Sequence, residues 1–327
     1  MNPWLSILIP VYNVEAYLEE CVESVLSQCD ASIEIIILDD RSTDGSFQLI
    51  NRIVKNSSHV IKIIQHEENC GISAARNSLV AAATGEYLWF LDSDDALTPG
   101  AVAQLHNIVQ EYSPDLVMCD YRIWRADAKA LMQSWVQERH IHTFAGAAGV
   151  LLSNPMELFA GLYKKGKLHC WSKISKRTLW LTGLKFPEGK YYEDMVTTQQ
   201  LALSVKNYFY IPNVWVLYRR RAGSILTTPS IKKIEDMSTG VSGVLDAWIK
   251  RYPDMDAATR FVFISYCVKV YIFTIKELRK IGQLNPETLS VYRLRLYEDI
   301  KINKYTLIKQ FFLHGNPFRL LKCWRFL

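Results

Sequence analysis

Hydrophobic and polar positions follow two alternating periods along the first 120 residues. Short apolar runs of strand length are each followed by about a dozen residues whose apolar side chains recur every three or four positions, as in amphipathic helices. The predicted strands lie near residues 5–11, 33–38, 60–65, 86–91 and 115–121. Strands that alternate with helices favour a largely parallel, Rossmann-like sheet with right-handed crossovers. The pattern therefore predicts an α/β fold.

The later part of the chain follows a different pattern. After an irregular region to about residue 190, we expect a helix over Met195 to Val205 and a pair of strands over Tyr208 to Tyr218 with a turn at Pro212-Asn213. From about Ile231 the apolar spacing is helical to the end. The sequence therefore predicts one α/β domain over 1–228 and a helical C-terminal region over 229–327.

The composition is that of a globular protein, with 327 residues of which 49% are hydrophobic and 22% are charged. The seven cysteines form no Cys-x-x-Cys pair, which favours a reducing cytosol over a disulfide framework or zinc knuckle. Met1 to Trp4 lacks the basic and apolar segments of a signal peptide. The apolar stretch Phe261 to Ile275 is too short to span a membrane and contains Lys269, so no transmembrane segment is predicted.

The net charge of +5 is concentrated at the C-terminus, where residues 300–327 hold six Lys or Arg and no acid. Aromatic side chains alternate with these bases, at Phe311, Phe312, Phe318, Trp324 and Phe326. Such a tail suits an anionic membrane surface, to which each base contributes about 1 kcal/mol. A terminal helix that packs its apolar face on the protein explains the pattern equally well, and no nucleic-acid partner is indicated.

A cluster of acids follows the most aromatic predicted strand. Glu86 to Leu91 runs directly into Asp92-Ser93-Asp94-Asp95. Carboxylates this close repel one another, so the pattern indicates a bound cation, and Mg²⁺ or Mn²⁺ prefers such oxygen ligands. The alternative is a solvated turn in which Asp95 caps a helix that begins near Thr98-Pro99. The spacing alone is weak evidence, because Asp254-Met255-Asp256 repeats it at a predicted helix start.

Three other patterns carry little chemistry. No Gly-x-Gly-x-x-Gly follows the first strand, which excludes the dinucleotide phosphate loop. The segment from Gly161 to Lys167 matches most of the P-loop motif, but the next residue is Leu168, where the motif requires a metal-binding Ser or Thr. His140 and His142 have no cysteine or third ligand near them in the sequence, so they predict a surface strand.

Two further motifs have both a functional and an ordinary interpretation. Glu193-Asp194 opens a predicted helix, where the dipole alone favours acids. Arg219-Arg220-Arg221-Ala222-Gly223-Ser224 offers charge-assisted hydrogen bonds to a diphosphate, or forms a solvated basic loop.

Taken in order, these motifs resemble the bacterial family 2 glycosyltransferases, which have the GT-A fold. The resemblance covers about residues 4–226 and rests on seven segments: Ser6 to Asn13, Asp39 to Ser46, Asn69-x-Gly71-x-x-x-Ala75-Arg76-Asn77, Phe90 to Asp95, Trp171-Ser172-Lys173, Glu193-Asp194 and Tyr218 to Ile225. Arg41 departs from the family, which has Gly or another small residue there.

The resemblance implies a role for each matching residue. The implied nucleotide-binding residues are Pro10, Tyr12, Asp39, Asp40, Arg76, Asp92 and Ser93. Metal binding falls to Asp92, Asp94 and Asp95, whose individual contacts with the ion stay open. Diphosphate binding falls to Arg219, Arg221 and Ser224. The implied general base is Asp194, and the residues implied to lie near the acceptor are Glu193, Lys173 and Trp171.

The implied activity is metal-dependent transfer of a sugar, with inversion, from a nucleotide diphosphate to a glycan hydroxyl. The implied cofactor is Mn²⁺ or Mg²⁺, the expected donor is a UDP-sugar, and the basic tail favours a lipid-linked acceptor in surface polysaccharide synthesis. We expect a cytoplasmic enzyme, either free or peripheral on the inner face of the membrane, and the sequence leaves the oligomeric state open. The alternatives are a non-catalytic sugar-nucleotide-binding subunit and a sugar nucleotidyltransferase, although the glycine-rich phosphate loop of the latter is missing.

Overall fold

The computed structural model describes residues 2–124, 140–220 and 228–314. The chain divides into two compact units, each assembled from more than one segment. Unit 1 comprises residues 1–155, 167–189 and 193–224, and unit 2 comprises residues 156–166, 190–192 and 225–327. The predicted division at 228 and 229 did not include the two short segments that the chain contributes to unit 2 from its middle.

Unit 1 begins with the strands β1 (Leu5–Val11), β2 (Ile33–Asp39), β3 (Ile61–Gln65) and β4 (Tyr87–Phe90). These four strands are parallel and lie in the order β3-β2-β1-β4. The connecting helices are α1 (Glu15–Leu26), α2 (Ser46–Asn56) and α3 (Ile72–Ala82). Every residue of β1 and β4 is buried, as expected of strands covered on both faces. The predicted α/β fold is confirmed.

The other strands of the sheet are β5 (Ala96–Leu97), β6 (Leu116–Trp124), β7 (His140–Ile141), β8 (Leu151–Leu152), β9 (Lys173–Lys176) and β10 (Tyr208–Arg219). They have mixed direction and continue the sheet in the order β4-β9-β6-β10-β5, with β7 paired to β6 and β8 paired to β10. The helices among them are α4 (Ala101–Tyr112), α5 (Pro155–Lys165), α6 (Arg177–Trp180) and α7 (Glu193–Ser204), with a 3₁₀ turn at Cys170–Ser172. Among the described residues of this half, β6 and β10 are the one parallel pair.

The strand pair predicted over Tyr208 to Tyr218 is wrong. The segment forms the single strand β10, which pairs with β6 along its whole length. Pro212 and Asn213 fall where the register shifts, between Ile211 and Val214. A β-bulge accommodates residues that cannot join the ladder, so the proline bends the strand without reversing it.

Unit 2 is helical in its described part. Its helices are α8 (Ile231–Thr239), α9 (Val244–Arg251), α10 (Ala257–Lys280), α11 (Pro286–Ile300) and α12 (Lys304–Leu313), together with residues 156–165 of α5. Asp256 caps α10 by accepting a hydrogen bond of 2.8 Å from the Thr259 N–H. The interpretation of Asp254-Met255-Asp256 as a helix start is confirmed.

Helix α10 corrects the length argument made for the apolar stretch near Phe261. At 24 residues it is long and apolar enough to cross a membrane by length and composition alone. About two thirds (67%) of its most apolar window is buried within the protein, as in a core helix, so the length is weak evidence for a span. Six described cysteines are free, and Cys323 lies outside the described residues.

Arg41 occupies the left-handed region of backbone conformation, with φ at 61°. This geometry favours glycine, since an L side chain in that region costs about 1–2 kcal/mol. We expect Arg41→Gly to raise the free energy of unfolding by about 0.5–1 kcal/mol, measured by urea denaturation. The control Arg52→Gly, at an exposed site inside α2, should lower it by about 1 kcal/mol. A loss of stability in both variants would contradict the strain argument.

Candidate active site

Acidic side chains meet at the carboxyl edge of the parallel strands. Asp39 ends β2, Asp40 follows it, and Asp92 follows β4 after one residue. Strands β1, β2 and β4 are adjacent and parallel, so these ends lie on one edge of the sheet. Ligands of open α/β sheets bind at this edge.

Asp40 is the anchor of the loop that follows β3. Its Oδ1 lies 2.6 Å from His66 Nδ1 and accepts a hydrogen bond of 2.9 Å from the Cys70 N–H. Its Oδ2 accepts one of 2.7 Å from the Gly71 N–H. Gly71 has φ at 85°, a conformation suited to glycine, which turns its N–H toward the carboxylate. Asp39 is also buried, and its Oδ2 accepts from Gln65 Nε2 at 3.0 Å.

Tyr12 and Pro10 differ in exposure although they are two residues apart. Pro10 is buried within β1, whereas Tyr12 lies just past its end and is 45% exposed. An exposed aromatic ring beside buried acids at the ligand-binding edge can stack on a flat ring such as a nucleobase.

Arg76 joins the two acidic motifs of the site. This α3 side chain is buried, and its two terminal nitrogens contact Glu193 Oε1 at 2.5 Å and Asp92 Oδ1 at 2.7 Å. Its Nε has no hydrogen-bond partner among the described residues. The structure thus brings together Arg76, Asp92 and Glu193, which lie far apart in the sequence. Ser93 is buried beside Asp92.

Asp95 is fully buried and does not cap a helix. Its Oδ1 accepts a hydrogen bond of 2.8 Å from the Arg219 N–H, whereas α4 begins after Gly100 without a side-chain cap. The capping alternative is therefore wrong. Burial raises the pKa of Asp95 well above its usual range, and the neighbouring charges of Asp94 and Asp92 add to this effect.

The acidic cluster fits a hard divalent cation. Asp95 Oδ2 has no hydrogen-bond partner within the described part of the chain, although it is buried. A divalent cation would supply the positive charge that balances this oxygen and the neighbouring carboxylates. The groups of three ligand atoms that converge within 4.8 Å among the described residues do not include Asp92, Asp94 and Asp95 together. The cluster therefore suits Mg²⁺ or Mn²⁺ shared with phosphate oxygens better than a closed protein cage.

Arg219 contacts protein groups on several sides in this conformation. Its guanidinium contacts Glu20 Oε2 at 2.6 Å and the Asp94 carbonyl at 2.8 Å, and its carbon Cζ lies 3.8 Å from the centroid of the Trp124 ring. It is buried, so it holds the acidic turn to β10. Arg221 and Ser224, its predicted partners in diphosphate binding, lie outside the described residues.

Asp194 stands at the start of α7 beside an imidazole that the sequence did not reveal. Its Oδ1 accepts from the Met195 N–H at 2.7 Å, and its Oδ2 lies 3.4 Å from His169 Nδ1. Burial alone would raise the pKa of Asp194, but His169 and Arg76 outweigh it, so that this pKa lies below its usual value. Glu193 shows the opposite balance, because burial raises its pKa more than Arg76 lowers it.

Trp171 and Lys173 are both buried and contact the segment that carries His169. The Trp171 ring stacks on His169 with ring centroids 4.8 Å apart. Lys173 Nζ donates to the Lys167 carbonyl at 2.7 Å and to Ser172 Oγ at 2.8 Å, and burial lowers its pKa to about 8. In this conformation both side chains support the loop that carries His169.

Comparison with known proteins gives consistent matches. Residues 6–155 match the family model described as Glycosyl transferase family 2. The chain is 29% identical over 232 residues to "Glycosyltransferase GlyG" of Streptococcus pneumoniae, a match that covers 70% of this chain and 74% of that protein. It is 28% identical over 227 residues to "Glycosyltransferase GlyA" of the same species, which covers 68% of this chain. The chain spans only 31% of the length of GlyA.

A solved structure shares the fold. S. aureus TarS 1–349, crystallised in complex with UDP-GlcNAc, superimposes with a TM-score of 0.59 over 95% of this chain and 92% of that chain. The two sequences are 17% identical over this match, so the likeness concerns the fold alone.

Proposed function

Because the chain carries a glycosyl transferase family 2 domain over residues 6–155 and is a glycosyltransferase with the GT-A fold, we propose that it is an inverting enzyme that uses a nucleoside diphosphate sugar. The oxygen of an acceptor hydroxyl bonds to the anomeric carbon as the bond from that carbon to the diphosphate breaks. The hydroxyl proton passes to the Asp194 carboxylate, and the nucleoside diphosphate leaves with the electron pair. A single displacement from the opposite face inverts the anomeric centre.

The observation that carries this proposal is the bridge made by Arg76. Arg76 contacts Asp92, which belongs to the proposed donor site, at 2.7 Å. It also contacts Glu193 at 2.5 Å, and Glu193 is the residue that precedes the proposed base Asp194 in the sequence. A fixed guanidinium between the two motifs holds the donor acids and the base at one distance, which is the positioning that group transfer requires.

A divalent ion fits the acids that follow β4. We propose that Asp92, Asp94 and Asp95 hold Mn²⁺ or Mg²⁺ together with oxygens of the donor diphosphate. When bound, the ion neutralises the charge that develops on the leaving diphosphate. Arg219, Arg221 and Ser224 are proposed to contact the same diphosphate.

The base-binding part of the proposal rests on the exposed Tyr12 ring and the buried acids beside it. Tyr12 and Pro10 would contact the base, with Asp39, Asp40 and Ser93 around the nucleoside. TarS was crystallised with UDP-GlcNAc, so we propose that a UDP-sugar is the donor here as well.

The test is a panel of sugar nucleotides with Mn²⁺, scored by thermal stabilisation and by hydrolysis. We expect one donor to be preferred by the wild type and the preference to be lost in Asp94→Ala. The matched control is Asp254→Ala, which removes an exposed acid with the same Asp-x-Asp spacing from unit 2. It should behave as wild type.

The outcomes of this panel separate the alternatives. No response to any sugar nucleotide from folded protein would contradict the transferase mechanism and favour a binding subunit. Formation of a sugar nucleotide from a sugar phosphate would indicate a nucleotidyltransferase. With a donor in hand, NMR of the transferred sugar should show inverted configuration, and retained configuration would overturn the single displacement.

We further propose that the acceptor is a lipid-linked glycan at an anionic membrane surface. Helix α12 leaves Tyr305, Phe312 and Leu313 exposed, with Lys304 and Lys309 on the same short helix. The rest of the basic aromatic tail, from residue 315, lies outside the described residues.

The wild-type protein should bind anionic liposomes but not neutral ones, whereas a variant that lacks residues 300–327 should bind neither. The deletion also removes the buried side chains Leu307 and Phe311, so it changes the packing of the protein as well as its surface. A second variant therefore replaces only the exposed pair Phe312 and Leu313 with Ser. Equal binding of all forms to anionic liposomes would remove the membrane proposal.

A further inference from the structure

Two histidines outside the candidate active site converge on one buried carboxylate. His140 begins the short strand β7, which pairs antiparallel with β6, and His142 follows directly after it. His140 Nε2 lies 2.8 Å from Asp120 Oδ2, and His142 Nδ1 lies 2.6 Å from the same oxygen. The sequence offered no third ligand for this histidine pair, but the pairing of β7 with β6 supplies one.

The carboxylate is fixed in place by other groups. Asp120 is fully buried, and its Oδ1 accepts hydrogen bonds from the Thr143 N–H at 2.8 Å and from the Tyr210 hydroxyl at 2.9 Å. Asp120 Oδ2 therefore has a defined position toward the two imidazoles.

The imidazoles themselves are open to solvent. Their side chains are 42% and 50% exposed for His140 and His142, and the ring centroids are 4.6 Å apart. The three ligand atoms lie within 4.8 Å of one another. In a tetrahedral site with metal–ligand distances of about 2.0–2.2 Å, the ligand atoms lie a little over 3 Å from one another. Modest rotation of the two half-exposed imidazole rings brings the three ligand atoms to this spacing.

We propose that Asp120, His140 and His142 form a binding site for a first-row transition metal ion, with Zn²⁺ as the leading candidate. Two imidazoles and one carboxylate form a ligand set that Zn²⁺ uses with a water in the fourth position. Imidazole nitrogens favour such ions over Mg²⁺, whereas the oxygen-only cluster at Asp92 to Asp95 has the opposite preference. The ion would clip β7 to β6, because its ligands come from both strands.

The test is calorimetric titration of Zn²⁺ into untagged, EDTA-treated full-length protein, with circular dichroism to confirm folding. We expect one bound Zn²⁺ and an affinity that falls by at least about tenfold in His140→Ala and in His142→Ala. The two imidazole rings are half exposed, so their removal should leave the core intact. Asp120 is not replaced, because it is buried. His59→Ala, which removes a histidine of α2's flanking loop, should bind as wild type.

A second cluster of possible metal ligands offers a competing site, which the variants distinguish from the first. Asp40, His66 and Cys70 also bring three ligand atoms within 4.8 Å. If Zn²⁺ binding is lost in His66→Ala and kept in the His140 and His142 variants, the ion binds there and the proposal is overturned. Absence of Zn²⁺ binding by folded wild type overturns it as well. Tetrahedral Co²⁺ absorption that disappears in the His142 variant supports it independently.

Discussion

Replacement of Asp194 by Asn should lower kcat by about 10²–10⁴-fold, because the amide cannot take the proton of the acceptor hydroxyl. The substitution keeps the size of the side chain and the hydrogen bond from the Met195 N–H, so the start of α7 should remain folded. Steady-state kinetics with the preferred donor measure the loss. Donor binding, measured by titration with the nucleoside diphosphate, should stay near wild type.

One control variant and two possible outcomes make this result specific. Asp254→Asn changes an exposed acid of unit 2 and should leave kcat unchanged. A wild-type kcat in the Asp194 variant would exclude this residue as the base, and equal loss of donor binding would indicate a misfolded site.

The pH dependence of kcat separates Asp194 from its neighbour as the base. Because its pKa lies below the ordinary value of about 3.9, Asp194 stays ionised through mildly acidic pH, and activity should fall only in strong acid. Glu193 has a raised pKa, so an acidic limb above about pH 4.3 would indicate that Glu193 is the base. The lowered pKa of Asp194 also stabilises the fold above the unfolded value, and this contribution is lost as the pH falls through the folded pKa.

Replacement of Arg76 by Met should lower the free energy of unfolding by about 3–5 kcal/mol, because it leaves the buried Glu193 and the partly buried Asp92 without their cation. Glu193 and Asp92 would lose contacts of 2.5 and 2.7 Å, and Glu193 is almost completely buried. Urea denaturation measures the change. The matched control is Arg52→Met on the exposed face of α2, which should change stability by less than about 0.5 kcal/mol.

A double variant tests whether charge or packing causes the loss. Adding Glu193→Gln to Arg76→Met removes the stranded charge and should restore part of the stability. No recovery would mean that Arg76 acts through packing on Phe186, whose ring centroid lies 5.3 Å from the guanidinium carbon.

The candidate site was predictable wherever one of its residues follows a strongly apolar strand. The runs at β1, β2 and β4 are almost entirely buried, and the parallel pairing they predict carries Asp39, Asp40 and Asp92 to one edge. The acids were therefore located by local sequence alone. Motif order added Arg76, Glu193 and Asp194, although the sequence did not show that Arg76 bridges Asp92 and Glu193.

Contacts between distant segments were not predictable in this way. His169 reaches Asp194 across 25 positions, and Arg219 reaches Glu20 across 199. Nothing in the local pattern marks either pair, because a histidine in a loop or a glutamate on a helix is ordinary. The length of β10 was missed for a similar reason, since Pro212 signals a turn unless a neighbouring strand absorbs it in a bulge.

The sequence by itself determined the α/β class, the helical C-terminal region and the edge of the sheet at which the acids lie. These features depend on periodicity and on which residues follow which strand, both of which are local. Only the tertiary structure decided the charge environment of those acids and the convergence of Asp120, His140 and His142. Burial and pairing between segments far apart in the chain set those properties, and the order of residues does not encode them in any short window.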